Sequence, residues 1–165
     1  MQNVSETSAG PGQVNLMQET MRAEGQLKSA AGWFYWVAGL SLVNSIALLV
    51  GGNLNFLVGL GITQLVDGIA AELAVDFGSM IQLAAFVINV GIAGLFVLFG
   101  ILGGKRHTWA FVVGMGLYAL DGLLFLLVSD ILSIGFHIFV LFWLFGGPRA
   151  IKKLNEIEKA KSLAF

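Results

Sequence analysis

The chain has 165 residues, 57% of them hydrophobic and 12% charged, with 22 glycines, two prolines and a formal net charge of −1. A soluble domain carries about a quarter charged residues, so the composition excludes an ordinary globular domain, and the near-zero charge argues against a nucleic-acid partner. With no cysteine, disulfides, thiolate metal sites, thiol catalysis and thioether-attached haem are also excluded.

Residues 1–30 read as a polar, cytoplasmic N-terminal tail without the apolar core of a secretory signal. Its first dozen residues have the composition of a disordered segment. Beyond them Val14, Met17 and Met21 share one side of an expected short helix lying at the membrane interface. Residues 31–149 form the membrane domain. Apolar runs of about 20 residues cross a hydrocarbon layer about 30 Å thick, and four such runs occur, at about 32–51, 80–103, 108–128 and 131–147. The first opens on Trp33-Phe34-Tyr35-Trp36, aromatics suited to headgroup depth. Residues 150–165 read as a cytoplasmic helical tail, with Ile151, Leu154 and Ile157 spaced by three.

The segment 54–79 is apolar up to Val66 and then carries Asp67, Glu72 and Asp76. The basic residues decide whether it is a fifth span. With four spans, Arg22, Lys28, Lys105, Arg106, Arg149, Lys152, Lys153, Lys159 and Lys161 all fall on one side, and the other side holds only acids. A fifth span would split the basic groups and break the positive-inside bias. Four spans are therefore expected, with both termini cytoplasmic in a plasma or bacterial inner membrane. Segment 54–79 becomes an outer insertion, re-entrant or interfacial.

Self-similarity suggests two tandem hairpins in parallel orientation, a 2+2 repeat. A shift of 77 residues superposes Phe34 on Phe111, Gly39-Leu40 on Gly116-Leu117 and Asn44 on Asp121. A shift of 43 superposes Phe96-Val97-Leu98-Phe99 on Phe139-Val140-Leu141-Phe142, and Gly103-Gly104-x-Arg106 on Gly146-Gly147-x-Arg149. The paired glycines read as helix ends.

Asp121 and His137 are the side chains that oil tolerates least. Each lies roughly 10 Å below the turn at Ser129-Asp130, at about 1.5 Å per residue. An intramembrane carboxylate costs at least about 2.5 kcal/mol, so it must face protein or water. Asn44 and Asn89 fall at comparable depth, giving one polar group per span and a polar layer in the outer half of the bundle. Two readings stand side by side. The layer either fixes helix packing through hydrogen bonds, or handles protons or cations with Asp121 and His137 as titrating partners. A hydrolase built from Ser133, His137 and Asp121 lacks a nucleophile elbow.

Asp67, Glu72 and Asp76 read as a solvated outer acidic rim. With Gln64 they also have the oxygen chemistry of a divalent-cation site, but no calcium-loop pattern accompanies them. His107, beside Lys105 and Arg106, reads as a lipid-headgroup contact, and Gly100 with Gly104 as a close-packing motif. Phe136, Phe139, Phe142, Trp143 and Phe145 surround their helix, so some must face lipid or another subunit.

The expectation is an all-α integral membrane protein of four helices with the bilayer as its partner and no catalytic or metal centre. It acts as a structural or accessory component of a homo-oligomer or larger membrane complex. The alternative is a channel or proton/cation-coupled carrier; no cofactor is specified by the residues.

Overall fold

The computed structural model describes residues 11–51 and 59–163. The expected disordered start of the chain and residues 52–58 of the outer insertion lie outside the described residues. Every described element is a helix: α1 Pro11–Leu49, α2 Gly61–Phe77, α3 Met80–Gly104, α4 Thr108–Leu127, α5 Ile131–Leu144 and α6 Gly146–Leu163. Four are long and apolar enough to cross a membrane: α1, α3, α4, and α5 with its continuation α6. The chain thus has the make-up of an integral membrane protein.

Each helix turns inward a stripe spaced by three and four residues, which is the face a helix repeats. In α4 the stripe is Ala110, Phe111, Gly114, Tyr118, Asp121 and Phe125; in α5 it is Ser133, His137, Val140 and Leu144. Large apolar side chains on the other faces, Val87, Leu120, Leu127 and Phe142 among them, are exposed, as lipid-facing positions would be. The half of the bundle nearer the α3–α4 turn is aromatic. Phe34 packs on Phe96, Phe99 and Phe111 with ring centroids 5.6–6.3 Å apart.

Glycines admit these rings. A Cβ on Gly114 would stand 2.6 Å from Phe34, one on Gly103 2.8 Å from Phe111, and one on Gly147 would collide with Phe111. α3 ends at Gly103-Gly104, as the paired glycines suggest, and α5 ends just before Gly146-Gly147, which open α6. Gly103 and Gly147 also serve as seats for Phe111. Gly100 likewise receives Tyr35 of the same chain. Pro148 lies in the first turn of α6, where a missing N–H costs nothing.

The N-terminal segment also differs from expectation. No separate interfacial helix forms, because α1 continues unbroken from Pro11 through the first span. Val14, Met17 and Met21 face outward, while Ala23, Leu27 and Ala30 are buried along with Ile151, Leu154 and Ile157 of α6. Burial on the α6 side outweighs the exposed methionine stripe as the packing face. Lys153 donates to Glu19 at 2.9 Å, and that carboxylate holds the Lys153 ammonium above its ordinary value. Arg106 bridges Glu24 and Glu158.

Two turns close the spans with left-handed residues that are not glycine, Arg106 (φ 67°) and Ser129 (φ 55°). In both, the amide three residues past the helix bonds back by five residues: His107 to Leu102 O at 3.1 Å and Asp130 to Phe125 O at 3.0 Å. This pattern satisfies carbonyls that a helix end leaves free.

Candidate functional site

The polar residues singled out in the sequence occupy inward positions of α1, α3, α4 and α5, all at least nine-tenths buried. They gather in two clusters, and α2 joins both.

In the first, α4 and α5 bring Asp121 and His137 together, with Nε2 to Oδ2 at 3.0 Å. Gly122, next to Asp121, permits the approach: a Cβ there would lie 3.0 Å from the imidazole. Asp130 sets the register of α5. Its carboxylate caps the helix, accepting from Ser133 N–H at 3.1 Å and Ser133 Oγ at 2.6 Å. These bonds hold Asp130 below the ordinary carboxylate value. One turn on, His137 Nδ1 lies 2.8 Å from the carbonyl oxygen of Ser133.

A carbonyl only accepts, so Nδ1 carries a hydrogen. The Nε2–Oδ2 bond then needs one proton of its own. The pair is therefore either carboxylate with imidazolium or carboxylic acid with neutral imidazole, and uncharged as a whole in both. Tyr118 stacks on the imidazole at 4.3 Å and 15°, and Phe125 closes the other side at 5.1 Å.

Asp121 has a further task that the sequence did not reveal. Gly61 N–H donates to its Oδ2 at 2.8 Å and Ile62 N–H to its Oδ1 at 2.9 Å. α2 thus begins inside the bundle, its first amides bound by a carboxylate from α4. The N-terminus of a helix carries partial positive charge and unpaired donors, and a carboxylate is a fitting partner for both. Gly61 is required by its neighbour, because a Cβ would stand 2.8 Å from the Phe125 ring. Leu60 N–H donates to Ser41 Oγ at 2.8 Å, fixing the approach to α2 against α1.

The second cluster surrounds Asp67. α2 buries Gly61, Thr63, Asp67 and Ala70, so Asp67 points inward while Glu72 and Asp76 are exposed. The expected acidic rim is divided: α2 has one inward stripe, and only Asp67 falls on it. Ser45 Oγ donates to Asp67 Oδ2 at 2.6 Å, and Asn89 Nδ2 donates to Asp67 Oδ1 and to Ser45 Oγ, each at 2.8 Å. Asn89 therefore joins Asp67, whereas Asp121 and His137 form their own pair. Asn44 is buried beside Gly59, where a Cβ would meet its Nδ2 at 2.9 Å. Ser45, one residue on, makes the bond to Asp67. The chance of finding it lay in its inward position beside Asn44.

Ser133 donates its hydroxyl to Asp130, and the carbonyl oxygen of Ser133 is what meets His137 Nδ1, whose Nε2 is taken by Asp121. The hydrolase arrangement does not assemble. Among the described residues no three His, Cys, Asp or Glu side chains gather as metal ligands. His107 is exposed at the opposite end of α4 from Asp121.

Comparison with protein-family models, with curated protein sequences and with solved structures finds no match to this chain.

Proposed function

We propose that this chain is a structural or accessory membrane component that packs with copies of itself or within a larger membrane complex. In this reading its two hairpins form a 2+2 parallel repeat, and its termini are cytoplasmic. α2 is a re-entrant half-helix held in the outer leaflet. The observation that carries the reading is the occupancy of Asp121. Its oxygens take two amides of α2 and the imidazole of His137, so the most costly group in the bundle acts as a clasp between helices. Gly39, Gly91, Gly94, Gly116 and Gly135 have open space where a Cβ would stand. Bare glycine on apolar helices favours close approach of another helix. Native mass spectrometry from mild detergent should give a defined oligomer or a co-purified partner. A strict monomer would count against the proposal.

The proton held between Asp121 and His137 favours a second reading, a proton- or cation-coupled carrier or channel. It predicts flux in liposomes that Asp121→Asn abolishes. Absence of flux in the wild type, or equal flux in the variant, removes it.

A further inference from the structure

Asp67 is a buried carboxylate whose hydrogen-bond partners are neutral. It is 9% exposed, and Ser45 and Asn89 are its donors. No ion pair among the described residues includes it. A carboxylate withdrawn from water requires an opposite charge or a proton.

The amide of Asn89 occupies the place where that charge is missing. Its Nδ2 is 2.8 Å from Ser45 Oγ, 2.8 Å from Asp67 Oδ1 and 3.3 Å from the carbonyl oxygen of Thr63. An amide nitrogen offers two hydrogens to these three oxygens. Meanwhile Asn89 Oδ1 is buried with no hydrogen-bond partner. Turning the amide over would add that idle oxygen to the ring. A cavity of about 40 Å³ lined by Ser45, Asp67, Ala70 and Gln82, among others, reaches the carboxylate. That is room for a water molecule or a small ion.

We propose that Ser45, Thr63, Asp67 and Asn89 form a binding site for a sodium-sized monovalent cation, which enters through the cavity beside Gln82. Asn89 turns its carbonyl oxygen onto the ion. The ligands are all oxygen, which suits a hard cation. A lone carboxylate balances a single positive charge; a divalent ion would leave an excess charge in a low-dielectric interior. The site is independent of the assembly proposed above, since a monomer would hold the ion equally well.

The test uses the full chain in detergent, with NaCl or choline chloride at matched ionic strength. Tm should rise saturably with sodium and not with choline, and equilibrium binding of ²²Na⁺ should show a single retained ion per chain. Both effects should vanish in Asp67→Asn, and sodium binding should weaken in Ser45→Ala. If Asp67→Asn does not fold, wild-type ²²Na⁺ binding decides alone, and no saturable binding overturns the site. A Tm that rises on acidification but ignores sodium also overturns it, because the group compensating Asp67 is then a proton.

Discussion

The two carboxylates buried in this bundle are stabilised in opposite ways. Asp121 meets an imidazole and the positive end of a helix, with three hydrogen-bond partners from two other helices. Asp67 meets a serine hydroxyl and a carboxamide. The difference shows what each holds in place. Removing Asp121 strands a histidine and two amides away from water, whereas removing the charge of Asp67 strands nothing that is charged. Burial alone does not make a carboxylate a keystone; the charge of its partners does.

The largest effect should come from breaking the first cluster. Asp121→Ala should destabilise the protein by about 3–5 kcal/mol, the range for removing one partner of a buried ion pair, as read from unfolding in mixed micelles. A cost below that of an ordinary surface substitution would erase the distinction between the two sites. Gly122→Ala should cost about 1–3 kcal/mol by overpacking, since its methyl meets the His137 ring at 3.0 Å. The imidazole NMR resonances of His137 should shift in that variant; an unchanged spectrum would mean that α4 and α5 are not held this closely.

Asp67→Asn in sodium-free medium should change stability by no more than about 1 kcal/mol, because the amide oxygen still accepts from Ser45. A loss as large as that of Asp121→Ala would make the two carboxylates equivalent. The smallest effect concerns the cap above His137. Asp130 has its folded value lowered by Ser133, so its contribution is complete above the unfolded value of about 4 and is lost as pH falls through the depressed one. Over that acid window the Tm of Asp130→Asn should fall less than that of the wild type. Parallel curves would remove the cap from the account of how α5 is set.

Much of this was legible in the chain itself. The four spans follow from run length and hydropathy, a bulk property that needs no knowledge of neighbours. Asn89, Asp121 and His137 announce themselves because polar groups in apolar runs are costly wherever the helices go, and each does face inward. Serine is cheaper to bury and therefore quieter, so Ser41 and Ser45 carry little signal in the sequence although both are buried. The glycines at 103 and 147 lie at helix ends, as their pairing suggests, but that they also seat a ring depends on Phe111 arriving from α4.

By itself the sequence determined an all-helical chain with four membrane-length segments and a short set of polar side chains that had to be buried together. Tertiary structure alone decided the partners. It gave Asp121 to the first amides of α2 and to His137, turned Asp67 inward while leaving Glu72 and Asp76 outside, and set the start of α1 against α6. The physical reason is reach. Hydrophobic periodicity acts within one helix, whereas a hydrogen bond between residues 60 apart, as from Gly61 to Asp121, depends on how separate helices come to rest.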